Sequence, residues 1–156
     1  MSISAQKNSL FYAMAAKDTV PASTTKTGTI ATLGINVTGA GTAFRSELKL
    51  GDWIVDLAQD EVRKVMNIRS DTFLTIDSAF TIDLAALTAL VVVRSRAKMI
   101  SITNAGGADG DVDGVALVSG ETVSFPKSNK NPDGKDFIDP LIVDPTGTTI
   151  KVLIQK

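Results

Sequence analysis

The sequence predicts an all-β protein: a small β-barrel or sandwich of short antiparallel strands, then a second small β-sandwich module, with an N-terminal arm or short helix in front. Three observations carry this. β-forming runs of about five residues recur at even spacing, with Gly, Asp and Pro turn signals between them. Beyond the first twenty residues no stretch keeps the apolar spacing of a helix. The chain has 156 residues, 44% of them hydrophobic, which is enough for one ordinary domain or two small ones. It has no cysteine, so the fold must stand on packing alone.

Taken in order, the elements begin with "AQKNSLFYAMAAK". Leu10, Phe11, Met14 and Ala15 cluster at spacings of three to four, which fits a short amphipathic helix. Small polar flanks make an extended arm the competing form, and either needs something to dock on. Residues 1–21 are therefore set apart as an arm. Ser9–Ala16 also resembles a signal sequence faintly, but it is short and only Lys7 precedes it as a basic group, so it reads as mature protein. "PASTTKTGTIAT" turns from linker into strand, with Gly28 marking a turn or bulge.

Next come "INVTG" as a strand, "GAGTAF" as a glycine-rich turn, "RSELKL" as a single helical turn, and "GDWIVDL" as a strand opened by Gly-Asp. In "EVRKVMNI", Val62, Lys64, Met66 and Ile68 alternate with Arg63, Val65 and Asn67. "SDT" turns into "FLTID", and "ALVVVRSR" (Ala89–Arg96) closes a barrel-like domain over residues 22–96.

Residues 97–156 form the sandwich module. Met99, Ile100 and Ile102 mark a strand ending at Asn104. "GVALVSGETVSFP" is two strands broken by Ser119-Gly120-Glu121. Lys127–Phe137 is a polar loop with a Pro132-Asp133-Gly134 turn. "DPLIVDPTGTTIKVLIQK" is a strand, a Pro-Thr-Gly turn and a final strand in which Ile150, Val152 and Ile154 alternate with Lys151, Leu153 and Gln155.

Composition narrows the chemistry. With neither histidine nor cysteine, the usual zinc sites, a Ser-His-Asp triad and a Cys-His pair are excluded. The net charge of −1 draws the chain to neither nucleic acid nor an anionic membrane. Its most apolar run, Leu84–Val93, is about half of what a spanning helix needs. The chain therefore reads as a non-enzymatic protein without a cofactor.

One motif invites a metal. In "DGDVDG", Asp109, Asp111 and Asp113 stand at alternate positions and Gly114 occupies the sixth place of a calcium loop. The closing glutamate is misplaced, however: position twelve is Gly120 and Glu121 comes one residue late. Strands flank the motif where an EF-hand has helices. A β-loop calcium site would need oxygens from elsewhere, whereas an acidic hairpin turn needs nothing more. Asp60-Glu61 and Asp136/Asp139 are the other carboxylate pairs, and surface turn chemistry accounts for both. Trp53, at a strand start, is expected in the core, and Arg94 and Arg96 lie on one strand face.

The block "GTAFRSELKLGDWIV…VRKVMNIRSDTFLTIDSAF" resembles one recurrent in virion proteins of tailed bacteriophages, roughly G-T-x-F…L-x-x-G-D…V-x-x-I-x-S-D-T-x-L-T-V-x-x-A-F. Gly41, Thr42, Phe44, Leu50, Gly51, Asp52, Ile68, Ser70, Asp71, Thr72, Leu74, Thr75, Ala79 and Phe80 fit it. The second half resembles the small β-sandwich modules of phage decoration and fibre proteins. The resemblance implies a structural subunit of the virion, made in the bacterial cytoplasm, that binds the major capsid protein or other virion proteins, often as a homotrimer. A tail or baseplate adaptor is the alternative, and a calcium-dependent adhesin or carbohydrate-binding module is a further one.

Overall fold

A computed structural model describes residues 9–92, 99–126 and 139–155. The protein is nearly all β, as expected, and divides into two compact units. One is continuous, Pro21–Arg94; the other joins the two ends of the chain, Met1–Val20 with Ser95–Lys156.

The continuous unit is a closed barrel. Its strands are β3 (Thr24–Leu33), β4 (Asn36–Ala40), β5 (Trp53–Asp56), β6 (Glu61–Ser70), β7 (Phe73–Ile76) and β8 (Leu87–Val92), arranged β3-β4-β7-β6-β5-β8. β8 closes the ring by pairing with both β5 and β3, which is the closing role read from "ALVVV". One turn of helix, α1 (Phe44–Glu47), carries Phe44 into the core; Phe44 packs there with Leu48, Ile30, Val37, Ile54, Val65, Leu74, Ile76, Phe80, Leu84 and Val91. Each such side chain contributes about 1.5–3 kcal/mol when fully buried.

Two irregularities shape the barrel. The register of β3 against β8 shifts between Thr25 and Thr29. Gly28 lies in that shift at φ +79, and a Cβ there would stand 2.4 Å from the Ala40 carbonyl oxygen, so only glycine fits. In β6 the register against β7 shifts between Val65 and Asn67. Strict alternation would put Val65 and Ile68 on opposite faces. The bulge resets the parity, so Val65 is buried, Ile68 packs against the same core and Met66 turns to solvent.

The second unit is a sandwich of two four-stranded sheets. Its strands are β1 (Ser9–Met14), β2 (Asp18–Val20), β9 (Met99–Asn104), β10 (Gly110–Val112), β11 (Val115–Leu117), β12 (Thr122–Pro126), β13 (Leu141–Asp144) and β14 (Ile150–Gln155). The sheet orders are β1-β14-β9-β12 and β11-β10-β13-β2. Both contribute to one core, with Ile100, Ile102, Ile150, Val152 and Ile154 from the first sheet and Val20, Val112, Leu117 and Val143 from the second. The alternation read in Ile150–Gln155 is present: Ile150, Val152 and Ile154 are buried and Lys151 is exposed.

Over residues 9–20 the N-terminal segment corrects the expectation of an arm or short helix over 1–21; the first eight residues lie outside the described ones. Ser9–Met14 is a strand that pairs along its whole length with β14, and Asp18–Val20 pairs with β13 in the other sheet. Met14 and Val20 are buried, and Tyr12 packs on the same core. A period of two describes the segment: Leu10, Tyr12 and Met14 share one face and Phe11 lies on the other. What it docks on is its own chain.

Candidate functional site

The aspartates of "DGDVDG" are used to build a turn. β10 and β11 are joined through Asp113 and Gly114, at φ 51 and 79. That is the double left-handed geometry of a two-residue hairpin loop, for which Asp-Gly is a preferred pair. The Asp111 carboxylate accepts the Gly114 N–H at 2.7 Å. The Asp113 carboxylate accepts the Ile142 N–H at 2.7 Å, while the Asp113 N–H donates to the Ile142 carbonyl at 2.9 Å, fastening the turn to β13. Asp109 contributes its backbone carbonyl, which accepts the Thr146 hydroxyl. Among the described residues no three carboxylates converge where a cation could sit.

Among the other carboxylates, Glu61 and Glu47 also accept backbone N–H groups. Partial desolvation pushes the Glu61 carboxyl up, but the Thr81 hydroxyl and N–H, with Arg63 at 2.9 Å, outweigh it and hold the group below the usual carboxylate range. Glu47 is lowered as well, first by the Thr27 hydroxyl at 2.6 Å and then by the Thr27 N–H. Asp60 stands in the β5–β6 turn at φ 56. Asp139 is described, whereas Asp136, Arg94 and Arg96 lie outside the described residues. Trp53 is half-buried rather than in the core: its ring lies under Lys64 Nζ at 5.7 Å, and the neighbouring Ile54 enters the core instead.

The residues of the Gly41–Phe80 block hold the barrel together. Asp71 is its central fastening. The Asp71 carbonyl accepts the Thr42 hydroxyl at 2.6 Å and the Phe44 N–H at 3.2 Å, and its carboxylate accepts the Arg45 N–H. Asp52 is buried and accepts the Lys49 N–H at 2.8 Å, while Gly51 and Asp52 hydrogen-bond to the Val65 backbone. Phe44, Leu74 and Phe80 are core, and Phe80 also carries Arg63 over its ring at 5.1 Å. Leu50 is the exception, more than half exposed.

A feature that sequence reasoning missed is Asn104, which is fully buried at the end of β9. Its amide donates to the Ala108 and Leu117 carbonyls at 2.7 and 2.8 Å. Its oxygen accepts the Gly106 N–H and the Thr148 hydroxyl. All four hydrogen bonds stay inside the sandwich, and they make Asn104 a structural hub.

Two surfaces stand out among the described residues. The barrel carries a cleft of about 430 Å³ lined by Thr25, Ile30, Val55, Asp56, Leu57, Ala58, Leu84 and Leu87. Its carboxylate, Asp56, is engaged by the Ala58 N–H and the Gln59 amide, which leaves an apolar hollow without convergent polar groups. On the sandwich, the outward face of β1-β14-β9-β12 is nearly uncharged. Paired positions across it are Phe11, Leu153, Ser101 and Ser124, then Ala13, Lys151, Thr103 and Thr122. Ser101 and Ser124 hydrogen-bond at 2.9 Å, Thr103 and Thr122 at 2.8 Å. Phe11 is 63% exposed on this face. A sheet face of hydroxyls and apolar groups with one lysine suits contact with another protein surface better than capture of a charged small ligand. No family model, curated protein or solved structure matches the chain.

Proposed function

We propose that the protein is a non-enzymatic structural subunit of a tailed-bacteriophage virion, an auxiliary or decoration protein that binds the capsid surface and stabilises the particle. The observation that carries this reading is the use made of the Gly41–Phe80 block. The block resembles one recurrent in phage virion proteins, and Thr42, Phe44, Asp52, Asp71, Leu74 and Phe80 within it are spent on closing a barrel. The Asp52, Asp71, Asp111, Asp113, Glu47 and Glu61 carboxylates all accept backbone N–H groups of their own chain, which suits a protein whose work is adhesion between surfaces. The weakly charged outer sheet face gives that adhesion an area, through burial of apolar groups around hydroxyls that are already paired with each other.

Immunogold labelling of particles from the phage that carries this coding sequence tests the proposal. Label spread over heads, with co-sedimentation of the purified protein on assembled shells but not with free coat subunits, is the expected result. Label confined to tails or baseplates would replace the decoration role by an adaptor role. Particles without label would overturn the virion reading.

A further inference from the structure

The four edges of the sandwich differ in how they are protected. β2 and β11 are three residues long, β2 carries Asp18, and β12 ends in Pro126. Short strands, charge and proline are the devices by which sheet edges avoid pairing with other chains. β1 has none of them. Its sequence is SLFYAM, six residues without charge or proline, and it is the terminal strand of its sheet. Phe11 and Leu10 on it are 63% and 49% exposed.

The direction of its backbone groups follows from the ladder. The Ala105 N–H donates to the Thr149 carbonyl at 2.9 Å, so Ile150 and Asn104 are a non-hydrogen-bonded pair. By alternation, Lys151 and Leu153 exchange bonds with β9, and Ile150, Val152 and Ile154 turn their backbone groups toward β1. There they meet Met14, Tyr12 and Leu10. Ser9, Phe11 and Ala13 therefore aim their N–H and C=O groups at the open edge.

We infer that this edge pairs with the same edge of a second copy, antiparallel about a two-fold axis through Phe11. In that register Phe11 faces Phe11 and Ser9 faces Ala13, so every edge-directed N–H and C=O of the three residues finds a partner. Opposite residues in an antiparallel pair share a face, so the core side stays continuous, with Leu10 against the partner's Tyr12 and the two Phe11 rings side by side on the outer face. Shifting the register by one residue would put Phe11 opposite Tyr12 and mismatch the faces. The strand carries no charge that a copy of itself would repel. The dimer doubles the four-stranded sheet, which presents two outer faces side by side. This association does not depend on the virion reading, and it replaces the trimer that the resemblance implies with a dimer. A junction of one strand per copy falls below the roughly 1,200 Å² of strong interfaces, so association is concentration-dependent.

Light scattering on a sizing column, from micromolar to sub-millimolar protein, should show the mass rising from 16.4 kDa to twice that value. Phe11→Lys, which places two like charges at the axis on an exposed position, should hold the chain at monomer mass with an unchanged melting curve. Because the native chain has no cysteine, Phe11→Cys should cross-link to a dimer under mild oxidation. Hydrogen-bonded pairs have Cα atoms about 5.5 Å apart, within disulfide reach. Ala13→Cys alone should not cross-link. A wild-type monomer throughout, a trimer, a Phe11→Lys dimer, or a dimer that Phe11→Cys fails to cross-link would each overturn the inference.

Discussion

The barrel and the sandwich solve the same problem, a sheet with unpaired edges, in opposite ways. The barrel bends its sheet until β8 meets β3, and no edge is left. Its chain is continuous, and its fastenings, such as Asp71 on Thr42, Phe44 and Arg45, are exchanged within that one stretch. The sandwich stays open. It draws one edge strand of each sheet, β1 and β2, from the early part of the chain and the other strands from the later part, around the buried Asn104. Closure makes a self-contained module, whereas openness leaves strand edges on which association can be built.

The largest expected effect separates the two units outright. Removing residues 1–20 takes β1 and β2 from the two sheets, with the buried Met14 and Val20, and strips β14 and β13 of one neighbour each, leaving only β9 and β10 beside them. The sandwich should fail to fold while the segment Pro21–Arg94 keeps its barrel. Dispersed amide resonances in a ¹⁵N-labelled sample should survive for barrel residues alone; loss of both sets would show that closure does not make the barrel independent.

Next in size, Asn104→Ala leaves the buried Leu117 carbonyl without its amide donor and removes the partner of the Thr148 hydroxyl. It should cost about 3 kcal/mol, given 1–3 kcal/mol for each buried group stranded. Chemical denaturation should show the loss in the sandwich transition and leave the barrel transition in place. Gly28→Ala is the reciprocal change. Positive φ and the Ala40 carbonyl together should remove about 2–3 kcal/mol from the barrel transition alone.

The smallest effect is a pH dependence on the barrel. The Glu61 and Glu47 carboxyls lie below their ordinary value in the folded state, so their contribution is fully present above the unfolded carboxylate pKa and is lost as pH falls through the folded one. The melting temperature of Glu61→Gln should sit below that of the wild type at neutral pH, and the gap should close as the solution is acidified below the carboxylate range. A gap that widened on acidification would contradict the assigned direction.

Much of the fold was legible in the residues, because turns and alternation are local. Asp113-Gly114 signals its hairpin, Gly28 its bulge, and Ile150–Gln155 its buried face, each within a few positions. The first strand was not legible. Leu10, Phe11 and Met14 satisfy helical spacing as well as a strand does, and the partner that decides between them, β14, lies at the other end of the chain. Asn104 was hidden for the same reason: its amide bonds reach residues 4 and 13 positions away, and the hydroxyl it accepts lies 44 away. For the candidate site, the sequence singled out the aspartates of "DGDVDG" as possible ligands, but geometry alone shows that two of the carboxylates are occupied by backbone N–H groups.

The pairing of Ser9 with Gln155 has a consequence for the order of events during synthesis. Of the described strands, β1 is made before the barrel and its partner β14 after it, so the sandwich waits until the barrel segment between them exists. The barrel does not wait. Once formed, it sets Thr24 opposite Val91, so the chain enters and leaves it at adjacent points. The long span between the first strand and the last then behaves kinetically like a much shorter loop, which lowers the entropic barrier to joining them. The inserted module thus acts as an internal folding scaffold, and slowing its formation would prolong the time that SLFYAM spends uncovered and prone to misassembly.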